Sequence, residues 1–188
     1  ETGITDQEIL QFAAAAEGMQ CAYGAVVKTG SGSSCVIAFA DNNGCLVYQN
    51  TTVAVTEDPA NRKKKILKLS GGEVEVNLEE GFRKANQIRV ESRGAAVEAV
   101  ACTFTVSDGG VVGDMQTCSA GCSEGEIQAI IGALLAVIEL GPGDQLTVAT
   151  SPGEDFIRVK ITSGEVTINT KDADGNDRTV NAADLLWG

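Results

Sequence analysis

Cys122-Ser123-Glu124-Gly125-Glu126-Ile127-Gln128-Ala129-Ile130-Ile131-Gly132-Ala133-Leu134-Leu135-Ala136-Val137-Ile138-Glu139-Leu140-Gly141-Pro142-Gly143 is the stretch whose reading decides the fold. It carries the longest apolar run of the chain, Ile127 to Ile138. Ser123 stands where a helix N-cap would, and Glu126 three residues on completes a capping box. Glu124 and Glu126 suit the positive end of a helix dipole. Gly141-Pro142-Gly143 supplies the stop. These signals predict a helix over 124–140. It would be apolar on all sides, hence buried at the centre of the molecule under a sheet. A subunit interface or membrane insertion are the other readings of such a surface. Gly132 would cost about 1 kcal/mol relative to Ala in mid-helix, which fits close packing against another element. The run is much shorter than the roughly 20 residues that span a bilayer, so no transmembrane segment is expected in this chain. An anchor after Gly188 is left open.

A second helix is expected near the start. Thr5 and Glu8 form a capping box, with Ile4 and Ile9 as a hydrophobic staple. The helix would cover 6–18, present Ile9, Phe12, Ala13 and Ala16 on one face, and stop at Gly18. Glu1-Thr2-Gly3 reads as a remnant of processing or expression and is set aside.

The remainder reads as strands. Cys21 to Lys28, Ser34 to Ala40 and Cys45 to Val55 would make a meander, with Asp41-Asn42-Asn43-Gly44 as a hairpin turn. Glu73-Val74-Glu75-Val76-Asn77-Leu78 alternates strictly, so one face is wet and one buried. Gln87 to Glu91, Val97 to Val106, Gln145 to Thr150, Phe156 to Thr162 and Glu165 to Thr170 follow, with a turn at Asp108-Gly109-Gly110. The expected fold is one α+β domain over 4–188. It has a mainly antiparallel sheet of about nine to eleven short strands packed with the two helices. Helix-then-three-strands occurs twice. Cys35 to Gly44 and Cys102 to Gly110 share a Cys, an apolar strand and an Asp-led turn, so duplicated α-β-β-β units are compatible with the pattern.

Composition excludes several functions. The 188 residues include no histidine, which removes Ser-His-Asp and Cys-His catalysis, imidazole metal ligands and a histidine pH switch. The net charge of −12 argues against general nucleic-acid binding. There is no Walker loop and no Gly-x-Gly-x-x-Gly ahead of a helix, so no nucleotide cofactor is expected. The charge is uneven. Arg62, Lys63, Lys64, Lys65, Lys68, Arg83, Lys84, Arg89 and Arg93 give the 62–93 stretch a net +4 against its five acids, leaving −16 elsewhere. Such a band could dock an anionic partner or the acidic face of another copy. The plainer reading is a lysine-protected strand edge.

Six cysteines, Cys21, Cys35, Cys45, Cys102, Cys118 and Cys122, are the even number a disulfide framework requires. Six allow fifteen pairings, so connectivity stays undetermined. A zinc site is disfavoured because Cys118 and Cys122 have no second pair at matching spacing. Asn50-Thr51-Thr52 is an N-glycosylation sequon. Together these point to a secreted or surface-exposed, disulfide-stabilised protein.

Two candidate sites stand beside the basic band. Asp172, Asp174, Asn176 and Asp177 place oxygen ligands as a calcium loop does. Asp177 and Ala183, however, stand where an EF-hand has Gly and Glu, so a hairpin loop is the simpler account. Paired carboxylates such as Glu79-Glu80 or Glu154-Asp155 would suit a glycosidase. Tyr48, Phe82 and Trp187 are the aromatics expected at the surface. The functional expectation is a non-catalytic binding module, engaging a protein partner or self-associating, with no required cofactor. A secreted hydrolase or a toxin are the alternatives.

Overall fold

The computed structural model describes residues 12–39, 43–79, 87–93, 95–112, 115–131, 136–150, 157–163, 167–171 and 177–181. These residues form strands and turns, with no helix among them. The strands are β1 (Val26–Lys28), β2 (Cys35–Ala38), β3 (Gly44–Val47), β4 (Thr52–Glu57), β5 (Lys64–Leu69), β6 (Gly72–Asn77) and β7 (Gln87–Ser92). They continue with β8 (Ala95–Val112), β9 (Met115–Ile131), β10 (Ala136–Leu140), β11 (Gln145–Thr150), β12 (Ile157–Ser163), β13 (Thr167–Lys171) and β14 (Asp177–Asn181).

The α+β expectation is therefore overturned, and with it the duplicated α-β-β-β units. The expected 124–140 helix is not formed where the stretch is described. Its described residues, 124–131 and 136–140, are the end of β9 and all of β10, paired antiparallel with Ile138 opposite Ala129 and Leu140 opposite Ile127, while 132–135 lie outside the described residues. The run alternates: Ile127, Ala129, Ile131, Ile138 and Leu140 point into the core, while Gln128 and Glu139 face out. β-branched Ile127, Ile130, Ile131, Val137 and Ile138 suit a pleated surface better than a helix. The first expected helix also fails where it is described. Residues 12–16 are irregular and Glu17-Gly18 turn, with Phe12 through Gly24 exposed. An amphipathic helix needs an apolar surface to cover, and none receives this segment. Residues 1–11 lie outside the described residues.

One sheet is built as two wings that share the long β8–β9 hairpin. The larger wing runs β1-β4-β5-β7-β8-β9-β10-β13-β14; the smaller runs β2-β3-β6-β8-β9-β11-β12. All pairings are antiparallel except β5 with β7, because β6 crosses to the other wing between them. Where β8 and β9 pass between wings, their inward parity switches. Val97 and Ala99 face the core on one side of the bend; Cys102, Phe104 and Val106 do so on the other. In β9 the same switch separates Cys118, Ala120 and Cys122 from Ile127, Ala129 and Ile131. Register shifts between Ala99/Cys102 and Thr103/Phe104 produce it. A bulge adds a residue, and one residue flips the face. Both wings feed one apolar cluster, so the sheet curls upon itself.

The crossing from β3 to β4 is tied by threonine hydroxyls. Thr51 is fully buried. Its Oγ1 accepts from the Glu73 amide at 2.9 Å and lies 3.1 Å from the Glu73 carbonyl. Thr29 Oγ1 accepts from the Thr51 amide at 2.9 Å and donates to the Tyr48 carbonyl at 2.5 Å. Replacing Thr51→Val keeps the shape and removes the side-chain partner of the part-buried Glu73 amide. A loss of about 1–3 kcal/mol is expected by urea denaturation. An unchanged midpoint would mean that the hydroxyl does not tie the crossing.

The cysteines form no disulfide. Cys45, Cys102, Cys118 and Cys122 are buried, Cys35 is half-buried and Cys21 exposed. Each buried thiol fills an inward strand position as a small apolar group would. Cys118 and Cys122 lie on one strand four residues apart, about 13 Å along it, far beyond disulfide reach. Burial pushes the Cys45 thiol up to about 12, with the neighbouring Cys35 and Glu75 adding to the effect. Burial also raises Cys118 and Cys122. None of these three is poised as a nucleophile.

Candidate interaction surface

The bend of the long hairpin carries a row of side chains, polar but for Ile66 at one end, on the outer face of the larger wing. The pairing sets Ile66 beside Arg89, Arg89 beside Glu98, Glu98 beside Gln128 and Gln128 beside Glu139. Side chains at directly opposed positions share a face, so register alone aligns this row across five strands.

Glu98 is its centre. Lys64 Nζ donates to Glu98 Oε1 at 2.5 Å and Arg89 Nη1 donates to the same oxygen at 2.6 Å. Arg89 Nε also donates to Glu91 Oε1 at 2.8 Å. Burial opposes the charge on Glu98, but the hydrogen bonds from Lys64 and Arg89 outweigh it and hold the carboxyl below its ordinary value. Burial likewise opposes the Arg89 cation, while the bonds to Glu98 and Glu91 raise its value. Beside this network a groove of about 280 Å³ opens at the bend. It is lined by Gln87, Glu98, Glu126, Gln128 and Glu139 together with the buried Ile88, Ala99 and Ile127. Gln87, Glu126, Gln128 and Glu139 are exposed.

This arrangement suits recognition better than proton transfer. A general acid needs a raised carboxyl, and Glu98 is pushed the other way. Of the candidate pairs for hydrolysis, only Glu79 falls among the described residues. Glu79 is exposed at the end of β6, its amide bonded to Asn43 Oδ1 at 2.7 Å, while Glu80, Glu154 and Asp155 lie outside the described residues.

The basic band is neutralised in part by its neighbours. Lys64 and Arg89 serve Glu98, Lys65 lies 3.5 Å from Glu57, and Arg93 Nε lies 3.4 Å from Asp108. Arg62, Lys63 and Lys68 are exposed with no ion pair among the described residues. Arg83 and Lys84 lie outside them. The described cations of the band lie on or beside β5 and β7 of the larger wing, and nothing in their arrangement builds an anion site. Of the calcium candidates, Asp177 opens β14 opposite Lys171, while 172–176 lie outside the described residues. No group of three potential metal ligands gathers among the described residues. Asn50 sits at an exposed turn with φ 55°. No helix among the described residues is long and apolar enough to cross a membrane. The sequence did not mark the Glu98 row. Its members are ordinary outward strand residues, and only the pairing of strands far apart in the chain aligns them.

Removing Glu98 leaves two half-buried cations facing each other. Glu98→Gln is expected to cost about 1–2 kcal/mol, since the side chains keep some solvent screening. The sign follows from the lowered carboxyl. The contribution is full above the ordinary value of 4.5 and is lost as pH falls through the lower folded value. Urea midpoints between neutral and acid pH would show wild type converging on E98Q at the acid end. Parallel curves at all pH values would refute this account of Glu98.

Comparisons with known proteins agree with an all-strand domain. Two crystal structures of a candidate anti-sigma factor from Parabacteroides distasonis ATCC 8503, at 1.65 Å and 2.50 Å resolution, share the fold. Their TM-scores are 0.56 and 0.55, at 16% and 15% identity. The match covers 72% of this chain and 59% of theirs, so this chain spans little more than half of those proteins. A search of the curated proteins finds no match. The family model for FecR protein matches residues 25–128, from the start of the strand region into β9. That is more than half of the sequence, and the chain belongs to the FecR protein family.

Proposed function

We propose that this chain is the non-catalytic interaction domain of a membrane-associated signalling regulator, and that it binds a protein partner through the polar row at the bend of the β8–β9 hairpin. The observation that carries this reading is the row itself. A preorganised Lys64–Glu98–Arg89 network borders a groove whose exposed lining residues are Gln87, Glu126, Gln128 and Glu139. Fixed charges of this kind set register and orientation in protein recognition. Membership in the FecR family and the fold shared with a candidate anti-sigma factor support a role in controlling a transcription factor rather than in hydrolysis. In this reading the domain lies outside the cytoplasmic membrane and passes its state to the rest of a longer regulator.

The test uses a photo-crosslinking residue at Gln128, placed in the full-length regulator in its own cells, with E126K/E139K as comparison. The reading expects one protein partner crosslinked at Gln128. It also expects the double charge reversal to weaken crosslinking and to alter transcription of the controlled genes. Crosslinking and transcription both unaffected by the reversal would overturn the groove as the docking site.

A further inference from the structure

We propose that the open edge of β2 is a self-association surface, where a second copy of this chain adds its own β2 antiparallel about a two-fold axis at Ile37. This stands on the backbone and charge pattern of one edge and does not depend on the reading of the groove.

β2 ends the smaller wing and pairs with β3 alone among the described residues. The bond parity is fixed by the Phe39 amide, which donates to the Asn43 carbonyl at 2.8 Å. Antiparallel ladders alternate, so Ile37 with Cys45 and Cys35 with Val47 are the bonded pairs. On its far side β3 bonds β6, shown by the Tyr48 amide donating to the Glu73 carbonyl at 3.1 Å. The amides and carbonyls of Val36 and Ala38 therefore point away from the sheet.

Native edges are usually protected by charge, proline or a bulge. The other strands at the ends of the two wings carry charge: Lys28 in β1, Arg158 and Lys160 in β12, Asp177 and Arg178 in β14. β2 carries none, and its flanking Ser33, Ser34 and Phe39 are uncharged as well. Val36 is 66% exposed, among the most exposed large apolar side chains described. In a chain of net charge −12, copies repel wherever like charges meet. This edge is where they meet none, which favours a second copy over a charged partner strand.

The two-fold arrangement is self-complementary. It sets Val36 opposite Ala38 of the second copy and Ala38 opposite its Val36, each pair exchanging both N–H···O bonds. A larger side chain then faces a smaller one on the outer side. Ile37 meets its own counterpart on the core side. The contact is far below a standard interface of roughly 1,600 Å², so the dimer is weak, with Kd on the order of 10⁻⁴ M.

Sedimentation velocity on the 188-residue chain, from roughly 10 µM to 1 mM, reads the equilibrium directly. Wild type should shift from monomer to dimer, more strongly at high salt, where repulsion is screened. Val36→Lys charges the edge, and Val36→Pro deletes the outward N–H while sparing the bonds to β3. Each should weaken association at least about 10-fold. Val36 and Ala38 amides should exchange more slowly in concentrated wild-type samples. If V36P fails to fold, V36K and the exchange measurement decide. A monomer at every concentration, a dimer equally strong in V36K, or concentration-independent exchange at Val36 and Ala38 would each overturn the proposal.

Discussion

Phe104→Ala is expected to lower stability by about 3–5 kcal/mol. In a protein of this size that is a fall in Tm of roughly 6–20 °C. Phe104 is fully buried and is the largest such side chain among the described residues. It sits in β8 just past the parity switch, opposite Val76 of β6 and Cys122 of β9. Its ring fills space between wings whose other inward residues are mostly Val, Ile, Leu, Ala and Cys. Small neighbours cannot extend into the vacated volume, so a cavity remains and the cost exceeds simple transfer. Phe104→Leu should lose distinctly less. Thermal melts followed by far-UV circular dichroism would measure both. A loss below about 1 kcal/mol for F104A would mean that the wings are not packed around this ring.

Gly125→Ala is the second large effect, expected at about 2–4 kcal/mol. Gly125 has φ +81°, a left-handed conformation that side chains rarely adopt. A Cβ there would lie 2.6 Å from the Ala101 carbonyl oxygen and 2.8 Å from Cys102 Cβ. Both are strand neighbours at the bend and cannot retreat without unpairing β8 from β9. Gly143 gives the control, since its φ is +89° but nothing lies within 4 Å of its added Cβ. Gly143→Ala should cost only the conformational strain, about 1 kcal/mol. Equal urea midpoints for the two variants would show that the close approach at Gly125 is unimportant. If G125A were the less stable by the expected margin, the bend itself would be the constrained feature.

The helix signals at 124–140 were local and real as far as they went. Ser123 and Glu126 stand at capping spacing, and Gly141-Pro142-Gly143 stops any element. Short apolar runs, however, read alike as buried helix or buried strand, and periodicity cannot separate them. The composition leaned to strand, through Ile127, Ile130, Ile131, Val137 and Ile138. Tertiary pairing then decided the matter. β8 offers Ile127, Ala129 and Ile130 partners in Ala99, Val97 and Ala96, satisfying the backbone along one side. Similarly, an even cysteine count is compatible with disulfides and equally with six independent positions. The alternation of strands placed four thiols inward at separate points of the core, where burial holds Cys45 protonated.

The sequence by itself determined that the chain has no histidine chemistry, that it is acidic, and that several of its segments are strands set between Gly- and Asn-containing turns. Glu73 to Leu78 shows why this much was legible. Its strict alternation is a property of neighbouring residues, and β6 buries Val74 and Val76 as that pattern requires. Only the tertiary structure decided which strands meet. The Lys64–Glu98–Arg89 network joins three strands separated by up to 34 residues. The uncharged edge at β2 exists because β3 turns its other side to β6. Both are consequences of non-local hydrogen-bond pairing, whose register depends on bulges and glycine positions rather than on any periodicity within one segment.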